Sequence, residues 1–142
     1  MPRFVKGEWK FSHNELWNLD ISFSKILVAG LEQFKTQYTE SKTGGVPTSV
    51  LKDLYGPDLI ESYTEEQLQK ASVEFIQRID LIIYALKDQD NSFKEAGLEV
   101  NLTTFKLDKG DKELFNKLSE QHEKKVKQGL ELFVKHYRDL WF

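Results

Sequence analysis

At 142 residues the chain is long enough for one domain with a proper core, since a domain of this size buries about 68–70% of its unfolded surface. It has no cysteine, which excludes a disulfide framework and thiolate metal sites, and its net charge of −3 lacks the basic excess of a sequence-independent nucleic-acid binder. Ten Phe, five Tyr and three Trp stand against a modest apolar content of 39%, so large rings must either fill the core or face a partner.

Charge is spread unevenly. Residues 1–40 carry 5 basic and 5 acidic side chains, residues 41–110 carry 8 and 12, and residues 111–142 carry 7 and 6. The acid excess sits in the middle. No run of 18 apolar residues is present to span a membrane, and Met1-Pro2-Arg3-Phe4 opens without the apolar stretch of a secretory signal.

Residues 1–11 alternate loosely, with Phe4, Val5, Trp9 and Phe11 between charged neighbours. An extended arm or a short edge strand fits, its rings covering the helices that follow. Ser12-His13-Asn14-Glu15 then reads as a capping box. Leu16, Leu19, Phe23, Leu27, Leu31, Phe34 and Tyr38 continue at helical spacing, which predicts a helix over about 12–39. Gly30 lies inside it, and close approach of another helix would explain a residue that weakens a helix interior.

Gly44-Gly45 and Pro47 end that helix, and a short one is expected near 48–55, closed by Gly56-Pro57. Thr64-Glu65-Glu66-Gln67 is a second capping box. It opens a helix over about 64–87 whose stripe runs through Leu68, Ala71, Phe75, Ile79, Ile82, Ile83 and Leu86. Residues 88–110 follow no clean period and read as an irregular insertion of loop, hairpin arm or short strand. A third long helix, about 111–140, carries Leu114, Phe115, Leu118, His122, Val126, Leu130, Phe133, Tyr137, Leu140 and Trp141. The expected fold is an all-α helical bundle of three long helices, forming a single domain over 1–142.

Chemistry-bearing patterns are sparse. None of His13, His122 and His136 has a partner at metal-ligand spacing, and His122 falls on an apolar stripe, where a core or boundary role is expected. Glu120-x-x-Glu123 has the spacing of a magnesium-holding helix pair, but the second helix offers no matching pair. No nucleophile elbow and no phosphate loop are present. The expectation is no metal, no cofactor and no catalytic residues.

Two clusters remain as candidate ligand- or partner-binding residues. The first is Trp17, Asn18 and Asp20. Asp20 sits between Leu16, Phe23 and Leu27 and so near the expected core face, where a charge needs a partner. The second is Lys135, His136, Arg138 and Trp141, where basic and aromatic residues interleave. They could stack on a base and hold a phosphate, or dock the last helix. An ion pair between the clusters requires the first and third long helices to be antiparallel. If each is antiparallel to the second, Asp20 lies far from Arg138.

Trp17-Asn18-Leu19-Asp20, a middle loop with Gly45 and Pro47, and the run from Gly129 to Trp141 carry a resemblance. Together they look like small, uncharacterised tailed-bacteriophage proteins. The resemblance implies a source in the host bacterial cytoplasm and brings no catalytic residues. With it, the expected function is a non-enzymatic binding protein. It would act on a host defence component or host enzyme, by masking a protein or by sequestering a small nucleotide. A virion or assembly component and a magnesium-dependent nucleotide hydrolase are the alternatives. The expected partners are a bacterial host protein or a nucleotide, with a second copy of the chain as a further candidate, and no sequence-specific nucleic acid and no membrane.

Overall fold

The computed structural model describes residues 1–40, 45–56, 63–87 and 109–140. The chain opens with a β-hairpin, β1 (Arg3–Val5) and β2 (Glu8–Lys10), paired antiparallel with Phe4 opposite Trp9. Lys6 and Gly7 make the turn with φ of 51° and 82°. Two successive left-handed residues are what a two-residue hairpin turn needs to match strand twist, and glycine supplies the second without strain. The hairpin is not buried against the helices as expected. Phe4 and Trp9 are 62% and 58% exposed and lie against each other, with ring centroids 5.3 Å apart.

The first long helix is two helices. Helix α1 (His13–Trp17) begins at the expected capping box: the Ser12 hydroxyl accepts from Glu15 N at 3.3 Å, and the Glu15 carboxylate accepts from Ser12 N at 2.7 Å. It stops at Asn18, whose φ of −114° and ψ of 52° leave the helical region. The Asn18 side-chain amide donates to the Asn14 carbonyl at 3.4 Å, a local bond that competes with helix continuation. Helix α2 (Leu19–Glu40) then resumes.

Helix α3 (Thr48–Tyr55) starts after Pro47, whose carbonyl accepts from Val50 N at 3.0 Å, and ends at Gly56, where φ is 84°. Helix α4 (Glu65–Leu86) carries the second expected capping box, with Gln67 N donating to Thr64 Oγ1 at 3.2 Å and Thr64 N to Gln67 Oε1 at 2.9 Å. Helix α5 (Lys109–His136) begins two residues earlier than the stripe predicted and gives way to a 3₁₀ turn at Tyr137–Asp139. Of the insertion expected over 88–110, residues 88–108 lie outside the described residues, as does Trp141.

The fold is all-α apart from the hairpin, and α4 is its hub: α2, α3 and α5 each pack on it. Phe75, Ile79 and Ile82 of α4 are buried between them, with Leu31 and Tyr38 of α2 and Val50 and Leu51 of α3. Alternate sides of α4 are apolar because it has neighbours on more than one side. Tyr38 stacks edge-on against Phe75, while Lys35 reaches Asp80 at 2.8 Å and Lys87 reaches Glu32 at 3.3 Å, so α2 runs antiparallel to α4. Phe75 meets His136, and Tyr84 meets His122, so α5 is antiparallel to α4 as well. Helices α2 and α5 are therefore parallel.

The close approach expected at Gly30 is not there. Gly30 faces open space, with nothing within 4 Å of a would-be Cβ. The tight contact is at Gly129, which lies on Leu81 and Ala85 where α5 crosses α4.

Candidate functional site

The two expected clusters sit at opposite ends of the molecule. Tyr38 and Phe75 have ring centroids 5.3 Å apart, and Phe75 and His136 5.7 Å, which places the C-terminal cluster beside the end of α2. Asp20 is eighteen residues earlier on α2, roughly 27 Å away at 1.5 Å per residue. No ion pair between Asp20 and Lys135, His136 or Arg138 forms. Nor is Asp20 on a core face: it is exposed, at the start of a helix whose buried residues are Leu31 and Tyr38. The break at Asn18 interrupts the stripe on which its burial was inferred.

The C-terminal cluster builds a polar network inside the fold. His136 is fully buried at the end of α5, and its Nδ1 lies 2.7 Å from Asp139 Oδ2 across the 3₁₀ turn. Its Nε2 lies 3.2 Å from Arg78 Nη1. Arginine has no lone pair to offer, so Nε2 is the acceptor, and Nδ1 carries the proton that Asp139 accepts. Ser49 of α3 donates to the same Asp139 oxygen at 2.9 Å. Arg78 also donates to Asp53 at 2.7 Å and to Glu74 at 3.0 Å. Lys135 closes the outer edge by pairing with Asp53.

These bonds set the charges. Burial pulls the Arg78 guanidinium down, but Asp53 and Glu74 more than offset it and hold it above its ordinary value. Lys135, ahead of Arg78, holds the Asp53 carboxyl below its ordinary value against the opposing effect of burial.

Ser49, His136 and Asp139 are the residue types of a nucleophilic triad in an arrangement that cannot act as one. Ser49 and Asp139 both approach Nδ1, and Arg78 occupies Nε2, so no ring nitrogen remains to take the serine proton. The network ties α3, α4 and α5 together. Arg138, exposed on the 3₁₀ turn, is the cluster's one described basic side chain outside it.

Arg78, Asp53 and Ser49 were missed in the sequence. A readable sign existed for the first. Arg78 stands on the stripe between Phe75, Ile79 and Ile82, with Glu74 one turn before it, and a charge there must be paired. His122 is a half-buried boundary residue as expected, 2.5 Å from the Tyr84 hydroxyl. Glu120 and Glu123 are exposed on α5. Among the described residues no three His, Asp or Glu side chains converge to hold a metal ion.

The N-terminal end is different. Trp17 is 81% exposed, beside the break at Asn18, and Phe4, Trp9, Leu16 and Phe23 are exposed near it in the chain. Phe11 holds the hairpin to α2 through an edge contact with Phe23, with centroids 5.8 Å apart. Single exposed apolar residues are ordinary; here several large rings are exposed at one end of a small domain.

Three shallow cavities lie among the described residues. One of about 790 Å³ lies between α2 and α4 over Tyr38, Val46, Leu68, Val73 and Ile76, with Glu65 on its edge and no Lys or Arg. A neighbour of about 320 Å³ joins it through Thr39 and Ile76, and its Lys35 is tied to Asp80. The third, about 290 Å³, is a hollow on α5 alone, lined by His122, Glu123, Val126, Lys127, Leu130 and Glu131.

No protein-family model, no curated protein and no solved structure matches this chain.

Proposed function

We propose that this chain is a non-enzymatic protein-binding domain that works by covering a surface of another protein with its N-terminal aromatic end. The exposure of Trp17 carries the reading. A tryptophan is a costly side chain to leave in water and recurs at the energetic centres of interfaces, and this one stays exposed with a ring contact to His13, 6.5 Å between centroids. Trp9 and Phe4 extend the same end, on a hairpin held by the Phe11–Phe23 contact and by the Met1 ammonium paired with Glu15 at 2.6 Å. Rings on short, locally specified elements are presented without much loss of side-chain freedom on binding.

The resemblance to phage proteins supports a host bacterial cytoplasm as the setting and a host defence component or host enzyme as the target. Sequestering of a nucleotide draws no support from the three cavities. The largest has one ring and no basic side chain, the second has its lysine engaged, and the third is a shallow groove on one helix.

The test is comparative capture. Tagged wild type and a Trp9→Ala, Trp17→Ala variant are each used to pull proteins from lysate of a phage-infected host. A protein retained by the wild type and lost from the variant, with both chains equally helical by circular dichroism, supports the reading. Equal retention by both would remove the N-terminal end as the binding surface.

A further inference from the structure

Helix α5 is apolar on two faces. One, with Gly129, Phe133 and His136, packs on α4. The other is turned about a quarter-circle away and carries Val126, Leu130, Val134 and Tyr137, at spacings of four, four and three residues over three turns. Val134 of α5 is 78% exposed, and Tyr137, on the 3₁₀ turn that follows it, 65%.

The hollow on this outer face has a specific form. Its lining includes Glu123, Val126, Lys127 and Leu130, which are residues i, i+3, i+4 and i+7 of one helix. That set of four forms the hole into which a facing helix inserts a side chain. The hole is apolar at its base, through Val126 and Leu130, and charged on one edge.

The charges on that edge decide what faces it. Glu123, Lys127, Glu131 and Arg138 are all exposed on the same flank of the stripe. Bring up a second α5 antiparallel, centred on Leu130. Val134 of each copy then enters the hole beside Val126 of the other. A two-fold axis brings like flanks together, so Glu123 falls about one residue from Arg138 of the second copy and Lys127 about two residues from its Glu131, both within reach of long side chains. Each opposite-charge pair forms twice. A parallel pairing would turn this flank toward the opposite edge of the second copy's stripe, so these charge pairs would not form.

We propose that α5 is a self-association surface, and that two copies of this chain pair antiparallel through Val126, Leu130, Val134 and Tyr137. The surface lies on a different helix from the N-terminal aromatic end, so a dimer presents two copies of that end and gains from their joint attachment to a multivalent target.

The experiment measures mass in solution by sedimentation equilibrium across a concentration series of the full chain. The wild type is expected to form dimers. Val134→Glu, at a position open enough to leave the fold intact, is expected to be monomeric. Lys127→Glu alone sets two pairs of carboxylates against each other and weakens the dimer by about tenfold or more. Adding Glu131→Lys to it restores the wild-type affinity. The chain has no cysteine, so orientation is read by mixing a Val126→Cys variant with a Val134→Cys variant and oxidising. Antiparallel pairing gives the mixed disulfide dimer, whereas parallel pairing gives each variant linked to itself. The proposal is overturned by a wild type that stays monomeric up to about 1 mM, by a dimer indifferent to Val134→Glu, by a charge swap that fails to restore, or by parallel crosslinks.

Discussion

Gly129 rests so closely on Leu81 that a Cβ there would meet the Leu81 carbonyl oxygen and come within 2.5 Å of the Ala85 Cβ. The obstacle is the backbone of α4, which cannot swing aside as a flexible side chain would. Gly129→Ala is therefore expected to push α5 away from α4 and destabilise the fold by about 1–3 kcal/mol, the usual cost of overpacking a core. Gly30→Ala is expected to do the opposite. Gly30 has open space around it and helical neighbours, so alanine removes a weak helix former and stabilises by about 0.5–1 kcal/mol. Chemical denaturation of both variants checks the pair. A Gly129→Ala variant no less stable than wild type would show that the packing at Gly129 is not as described, and a destabilised Gly30→Ala that Gly30 is not in open space.

The contrast between these two glycines shows what the sequence made legible. Both lie inside helical stripes, and only tertiary contact distinguishes them. The helices themselves were readable because their signals are local: Ser12 with Glu15 and Thr64 with Gln67 formed the capping boxes their spacing announced. The stripe through Phe75, Ile79 and Ile82 supplies the buried residues of α4, on which α2, α3 and α5 pack. The break at Asn18 was not readable, since an asparagine in a helix interior is tolerated or disruptive depending on where its amide turns. Asp20 was misplaced for that reason. The partners of His136 were also out of reach, because Ser49 and Arg78 stand 87 and 58 residues away in the chain.

Arg78 is the connection on which the polar network depends. It donates to Asp53, to Glu74 and to His136, so replacing it leaves Glu74 and a buried ring nitrogen without this partner and Asp53 with Lys135 alone. Arg78→Met keeps the unbranched apolar stem of the side chain and removes all three bonds. The expected loss is about 3 kcal/mol, the lower end for breaking a buried ion pair, because Asp53 and Glu74 keep some contact with water. Lys135→Ala breaks only the outer pair, on a side chain largely in solvent, and is expected to cost less than about 1 kcal/mol. Urea denaturation midpoints of the two variants give the comparison. Equal losses would mean that the network is a surface feature and not a tie between helices.

Asp53 gives the network a pH signature. Lys135 and Arg78 hold its carboxyl below the ordinary 3.8, so the folded chain binds a proton there less readily than the unfolded chain does. The sign follows from linkage: a group with a depressed folded value adds stability above its unfolded value, and that stability is lost as pH falls through the folded one. Between neutral pH and pH 4 the Asp53 contribution is expected to stay nearly constant, and below pH 4 it declines as protonation weakens the carboxylate's pairs with Lys135 and Arg78. Asp53→Asn removes this titration. The variant is expected to be less stable than wild type at pH 7, with the difference narrowing steadily as pH falls below 4. Thermal melts of both chains across pH 2–7 measure that difference, and a gap that stays constant or widens on acidification would show that Asp53 is not held ionised by these two cations.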